Sequence, residues 1–241
     1  MPNELLLCVP GPWKDRSDFV GMVVSATKGE FMFAGMILAN PGRKDHVSLD
    51  FNPHDPQMRK AFEIAGQGKF PERLLSEVAN HRGVAYLHFP IGIIREKERV
   101  SSFTEALRSC GGFAVKVESA GVAHEWEHWF SALHSENPFD LYRTFVVLIG
   151  DSQHYYSCGM HHFGLPDVEA ERSIDIKATA DLMNRFNYWQ IAEEPKITSG
   201  HTFSVAADAP RYRITLKADS RHEPSDFFHN PAGLWNLKRA D

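Results

Sequence analysis

The alternation of apolar and polar residues predicts strands at both ends of the chain. Leu5 to Val9 is a short apolar run that is typical of a buried strand, and Pro10 ends it. Near the other end, Arg211 to Lys217 alternates apolar with polar residues, as a strand with one buried face does. His201 to Ala206 precedes it as a further strand, so we expect antiparallel strands in this C-terminal region.

A strand–helix–strand unit is predicted in the middle of the chain. Val84 to Phe89 is apolar on both faces, which is typical of a central strand. Ser102 and Glu105 form a capping box that predicts the start of a helix, and Gly111-Gly112 marks its end. The alternation from Phe113 to Glu118 predicts a return strand, which completes a βαβ unit.

Strand pairs combined with this crossover predict an α+β fold. We expect one mixed β-sheet with helices packed mainly on one face, containing the βαβ unit and the C-terminal antiparallel strands. No internal repeat, low-complexity tract or long linker divides the sequence, so we expect residues 1–241 to form a single compact domain.

Composition and charge narrow the class of protein. The 241 residues are 43% hydrophobic and 24% charged, which is typical of a globular protein. Lys and Arg number 26 against 31 Asp and Glu, a net charge of −5 that disfavours a general nucleic-acid binder. The longest apolar run, Phe31 to Ala39, is shorter than the about 20 residues of a membrane span, so we expect no membrane association.

The N-terminus and the cysteines indicate a cytoplasmic location. Met1 to Glu4 lacks the basic region that begins a secretory signal. Cys8, Cys110 and Cys158 are widely spaced and form no Cys-x-x-Cys pair, which fits reduced thiols better than a disulfide framework.

The segment His124-Glu125-Trp126-Glu127-His128 matches the H-E-x-x-H signature of zinc metalloproteases. On a helix, histidines four positions apart reach one Zn²⁺, and the intervening glutamate activates the bound water. A zinc-dependent hydrolase with His124 and His128 as ligands and Glu125 as the catalytic base is therefore one hypothesis.

The helix predicted from Val122 to Ser135 argues against that hypothesis. Its apolar stripe would be worth roughly 6–10 kcal/mol on burial and should orient the helix. The stripe consists of Val122, Trp126, Trp129, Phe130 and Leu133. His124 and His128 would then face solvent, and no later segment supplies a motif for a third ligand. We therefore expect no metal and no other cofactor.

A second cluster follows in the chain, with a thiol, two imidazoles and two carboxylates. It consists of Cys158, His161, His162, Asp167 and Glu169. Cys-x-x-His is a pair of soft metal ligands, but a zinc ribbon or finger needs a second matched pair, which the sequence lacks. Cys158 lies on the same strand face as Tyr156 and Met160, where a buried thiol is ordinary, and this favours a structural role. The alternative is a ligand pocket at this strand end. A cofactor-free enzyme using Cys158, His161 and Asp167 is a further hypothesis.

Two other enzyme classes have no support in the sequence. Ser25 is not surrounded by the G-x-S-x-G elbow of a serine hydrolase. Neither G-x-G-x-x-G nor a Walker A sequence is present, so nucleotide binding through those motifs is not predicted.

Four segments of the second half resemble a bacterial family, the domain of unknown function DUF4261. They are Gly111 to Gly121, Cys158 to Glu169, Gly200 to Ser204 and Asn230 to Trp235, and Gly159-Met160 with Gly164-Leu165-Pro166-Asp167 is the most specific part. The domain would cover roughly Thr144 to Lys217. The resemblance implies a cytosolic bacterial α+β protein and carries no catalytic residue over to this chain.

These observations predict a non-enzymatic binding or regulatory protein in the cytoplasm. Its unknown partner, a protein or a small molecule, would be held by the cluster from Cys158 to Glu169. The alternative is the zinc-dependent hydrolase.

Overall fold

The computed structural model describes residues 4–172 and 175–240, which divide into two compact units. The first unit comprises Glu4–Pro90 and Arg95–Ser135. The second comprises Ile91–Ile94 and the chain from Glu136 onwards. Within the described ranges the chain forms seven α-helices and two β-sheets, which confirms the α+β class. A single domain over residues 1–241 stays a prediction.

The first unit contains a seven-stranded antiparallel sheet with the order β2-β3-β4-β5-β1-β6-β7. Its elements are β1 (Glu4–Gly11), α1 (Arg16–Ala26), β2 (Met32–Ala34), β3 (Ile37–Asn40), β4 (Asp45–Pro53), α2 (Met58–Ala65), α3 (Glu72–Ala79), β5 (Gly83–Pro90), α4 (Ile93–Ser109), β6 (Val115–Val117), β7 (Val122–His124) and α5 (Trp126–His134).

The predicted βαβ unit is β5–α4–β6, and β1 lies between its two strands. β5 and β6 both pair antiparallel with β1, so they run parallel to each other without being neighbours. α4 begins at Ile93, before the predicted capping box, and its first two residues, Ile93 and Ile94, are counted with the second unit. Ser102 and Glu105 therefore lie inside the helix.

Helices cover both faces of this sheet, whereas the sequence predicted them mainly on one face. Cys8 of β1 points to one side, where its Sγ lies 3.8 Å from Sδ of Met58 in α2. Phe89 of β5 pairs with Leu5 and points to the other side, where its ring centroid is 6.2 Å from that of Phe103 in α4. Apolar residues of strands are thus buried on both faces.

The second unit contains a six-stranded mixed sheet with the order β11-β12-β13-β10-β9-β8. Its elements are α6 (Pro138–Phe145), β8 (Val147–Gly150), β9 (His154–Cys158), a 3-10 helix (Met160–Phe163), β10 (Asp167–Glu171), α7 (Ile176–Glu193), β11 (Thr202–Phe203), β12 (Tyr212–Lys217) and β13 (Leu234–Arg239). β10 and β13 are parallel, and the other pairs of strands in this sheet are antiparallel. The antiparallel pairing of β11 with β12 confirms the prediction for the C-terminal strands.

One face of this second sheet is apolar and packs on α7. Val168 and Ala170 of β10 lie in one buried cluster with Phe186 of α7 and with Trp235 and Leu237 of β13. Since side chains alternate along a strand, the residues between them point to the opposite face.

None of the helices in the two described ranges combines the length and the apolar character that crossing a bilayer requires.

Candidate functional site

The face of the second sheet opposite α7 is polar. Asp167 and Glu169 of β10 point to it, and Tyr156 of β9 and Asn236 of β13 lie directly beside Glu169. Residues 218–233, which connect β12 to β13, fold back onto this face. The connection is held there by hydrogen bonds from Asn230 to Asp167 and from Arg221 to Glu169.

Asp167 is a buried carboxylate with three hydrogen-bond donors. Its Oδ1 accepts from Ser157 Oγ at 2.7 Å and from the Met160 backbone N–H at 3.2 Å, and its Oδ2 accepts from Asn230 Nδ2 at 2.6 Å. Burial raises the pKa of Asp167 to about 7, although these donors act in the opposite direction. The carboxyl group therefore joins β9, the 3-10 helix and the 218–233 connection.

Four charged side chains of alternating sign form a row, which we call the ionic chain. Lys217 Nζ donates to Glu169 Oε1 at 3.0 Å, and Arg221 Nη2 donates to Glu169 Oε2 at 2.6 Å. The other end of the Arg221 guanidinium pairs with Asp151. The side chains of the middle pair, Glu169 and Arg221, are 8% and 20% exposed, whereas those of Lys217 and Asp151 at the ends are 51% and 34% exposed.

The members of the ionic chain stabilise one another's charges. Hydrogen bonds from the backbone N–H groups of His154 and Gln153, together with Arg221, lower the pKa of Asp151 to about 2. Burial acts to raise the pKa of Glu169, but donation from Arg221 and Lys217 outweighs it, so that pKa lies below its usual value. Glu169 also accepts from Asn236 Nδ2 at 2.9 Å, and the guanidinium carbon of Arg221 lies 4.4 Å from the centroid of the Tyr156 ring.

The ionic chain lines a cleft of about 490 Å³. The remaining walls are polar side chains of the β8–β9 turn and residues that follow β12. Besides the ionic chain, the lining residues are Ser152, Gln153, His154, Ala218, Ser220 and Leu234. The cleft therefore presents a fixed cation and a fixed anion to the same small volume.

Residues 156–228 match the family model described as a domain of unknown function, DUF4261. All of the matched residues lie in the second unit. The resemblance noted in the sequence is confirmed, and the matched residues begin and end later than the expected segment from Thr144 to Lys217. No curated protein and no solved structure matches the chain.

The DUF4261 match contains three members of the ionic chain, Glu169, Lys217 and Arg221, while Asp151 precedes it. Of the five residues predicted to bind a ligand, only Glu169 lines the cleft. Sequence reasoning missed the other three members. The polar side of β12 and the Gly150-Asp151-Ser152 turn were visible signals for Lys217 and Asp151, but no pattern placed Arg221 beside Glu169.

The other predicted ligand residues lie within the matched segment and are buried; they are Cys158, His161, His162 and Asp167. The rings of His161 and His162 lie 4.0 Å apart between centroids, and burial lowers the pKa of His162 well below its usual value. Burial also raises the pKa of the Cys158 thiol far above its usual value, and the carboxylates of Asp167 and Asp219 add to this shift. This environment stabilises the thiol over the thiolate, which disfavours Cys158 as a nucleophile. Their role in ligand binding stays a prediction.

In the first unit, the H-E-x-x-H segment is divided between a strand and a helix. Val122–His124 forms β7, Glu125 is the N-cap, and α5 begins only at Trp126, so the helix predicted from Val122 is wrong in its first part. Trp129 and Phe130 are buried and His128 is exposed, as the apolar stripe predicted, whereas Trp126 is half-buried.

The geometry of a zinc helix is therefore absent from this segment. The rings of His124 and His128 are 4.9 Å apart between centroids, but His124 lies on β7 and not one helical turn before His128. Across residues 4–172 and 175–240, no group of three or more His, Cys, Asp or Glu side chains is placed to hold a metal ion.

Proposed function

We propose that the second unit is a binding module that holds a small zwitterionic molecule in the cleft of the ionic chain. The observation that supports this proposal is the row Lys217–Glu169–Arg221–Asp151, with its middle pair shielded and its two ends half-exposed. A carboxylate of the ligand would contact Lys217 Nζ, and its ammonium group would contact Asp151.

The charges of the cleft favour a ligand that carries both signs. Two carboxylates and two cations leave the ionic chain neutral, so a purely anionic ligand would be attracted by Lys217 and repelled by Asp151. A zwitterion pairs with both ends at once. Because the Glu169–Arg221 pair already fixes the ends, little side-chain entropy is lost when the ligand binds.

The size of the cleft and the chemistry of its surroundings support binding of a small molecule without a reaction on it. Its volume of about 490 Å³ falls in the range of about 300–1,000 Å³ that is typical of small-molecule sites. Cys158 does not line the cleft, and burial raises the pKa of its thiol, which favours the protonated form. Cys8, Cys110 and Cys158 are buried and form no disulfide, which supports a cytoplasmic location for this binding protein.

Isothermal titration calorimetry of the full chain with free α-amino acids at neutral pH tests the proposal. We expect at least one of them to bind, and Lys217→Gln to weaken that binding by about tenfold or more, which is about 1.4 kcal/mol. Arg213→Gln is the matched control because Arg213 is exposed on the same strand and does not line the cleft. We expect its affinity to equal that of the unmodified protein.

Acetate and methylammonium serve as half-ligands in the same titration. Each of them carries only one of the two charges of an α-amino acid, so each should bind more weakly than the amino acid does. Equal affinity for acetate and for the amino acid would contradict the proposal. So would an amino-acid affinity that is the same in Lys217→Gln as in the unmodified protein. Absence of binding by every amino acid tested would do the same.

A further inference from the structure

A separate cleft lies in the first unit, on the outer side of α4. Its volume is about 610 Å³, and it is bordered by α4, α5, the end of α1 and the β3–β4 turn. Phe31, Ala106 and Phe130 give it an apolar floor, and Glu98 and Glu105 lie among its charged walls. Glu30, Lys28 and Arg43 also line it, so the charges of the lining nearly balance and a neutral molecule with an apolar group fits.

A serine and a histidine form a hydrogen bond in the wall of this cleft. Ser101 Oγ lies 3.0 Å from His134 Nε2, and both residues line the cleft. With its proton on Nδ1, the imidazole accepts the hydroxyl proton through Nε2. This is the arrangement of a nucleophile with its general base.

His134 is the last residue of α5, and its side chain is exposed to the cleft. A cation also borders the serine side of the cleft, since Arg43 Nη1 lies 3.5 Å from Ser102 Oγ. Arg43 and Ser101 line the same cleft, so this positive charge lies in the cleft where an oxyanion would form.

We propose that Ser101 is a nucleophile that hydrolyses small neutral carboxylic esters, with His134 as its general base. Ser101 Oγ forms a bond to the acyl carbon while its proton moves to His134 Nε2. The ester C–O bond then breaks, and the leaving alkoxide takes that proton. Water next attacks the acyl group, gives a proton to His134, and the Ser101 oxygen leaves and is reprotonated.

Hydrolysis of p-nitrophenyl acetate by the full chain tests the reaction. We expect a rate above that of buffer, which Ser101→Ala abolishes and His134→Asn lowers about tenfold or more. Ser25→Ala is the matched control, since Ser25 is an exposed helical serine outside the cleft, and it should keep the full rate. A rate equal to buffer, or full activity in Ser101→Ala, would overturn the proposal.

Labelling of the unmodified protein decides the question even where Ser101→Ala fails to fold. An alkyl fluorophosphonate reacts with an activated serine by forming an Oγ–P bond and releasing fluoride, while the proton passes to His134. Mass spectrometry of the digested product should place the label on Ser101. Failure to label Ser101 in the folded protein would overturn the proposal.

Discussion

The two units place their polar chemistry on different surfaces. In the first unit, helices cover both sides of the sheet, and the Ser101–His134 pair lies on α4 and α5, away from the strands. In the second unit, α7 covers one side and the other carries Asp167 and the ionic chain. A sheet that needs only one apolar face can use the alternate positions of its strands for charged groups.

Gly159 forms the bend between β9 and the 3-10 helix that leads to β10 in the second unit. Gly159 has a φ of +123°, and a Cβ at this position would lie 2.1 Å from the carbonyl oxygen of Phe145. We expect Gly159→Ala to destabilise the second unit by more than about 3 kcal/mol, because the backbone must move. Chemical denaturation measures the loss.

Gly164 is the matched control at the other end of the same 3-10 helix. It has a φ of +74°, but a Cβ there would meet no heavy atom within 4 Å. Gly164→Ala should therefore cost only about 1 kcal/mol of backbone strain. Equal losses in the two variants would show that the close approach to Phe145 is unimportant.

The burial of Asp167 predicts that the stability of the second unit depends on pH. Its folded pKa of about 7 lies above the usual 3.8, so the protonated carboxyl contributes stability that is fully present below pH 3.8 and is lost as the pH rises through 7. Asp167 therefore contributes a fall of about 2–3 kcal/mol in the unfolding free energy of the second unit from pH 5 to pH 8. Buried His162, whose pKa is lowered, contributes a rise over part of the same range. Urea unfolding at the two pH values measures this change.

Asp167→Asn separates this group from the other titrating residues. The amide keeps the shape of the side chain and has no charge, and His162 acts equally in both proteins. From pH 5 to pH 8 the unmodified protein should therefore lose about 2–3 kcal/mol more unfolding free energy than the variant. The lowered pKa values of Asp151 and Glu169 act only at more acidic pH, where protonation removes their contribution. The same decline in Asp167→Asn would contradict the assignment to Asp167.

Thiol reactivity extends the comparison to both units, since neither should expose an activated cysteine. Burial raises the pKa of Cys110 to about 12 and those of Cys8 and Cys158 well above their usual value. A disulfide reagent at pH 8 should therefore label all three slowly, at rates limited by unfolding. Rapid labelling of Cys158 in the folded protein would support the enzyme hypothesis based on this residue.

The smallest effect is expected at the H-E-x-x-H segment. His128 is exposed, and no third ligand accompanies it among the residues described, so EDTA treatment and His128→Ala should each change stability by less than about 0.5 kcal/mol. Trp129→Ala, at a buried neighbour on the same helix, should cost about 3–5 kcal/mol. Stoichiometric zinc that is lost in His128→Ala would instead favour the hydrolase.

Local patterns were sufficient for the strands with clear periodicity. The alternation around Tyr212 predicted β12, and the apolar run at Val84 predicted β5. β7 was missed because its three residues are too few for a periodicity of two to stand out from the helix that follows. The ionic chain could not be predicted, since Glu169 meets Lys217 and Arg221 only after β10 pairs with β13 and the 218–233 connection folds back.

The central place of β1 has a consequence for the order of events during synthesis. Its neighbours in the sheet are β5 and β6, and its nearest pairing joins Gly11 to Gly83, 72 positions later. β1 is translated before both of its partners and can pair only after most of the first unit has followed. Contacts of such large sequence separation slow folding, so we expect assembly of this sheet to finish only after His124, at the end of β7, has emerged.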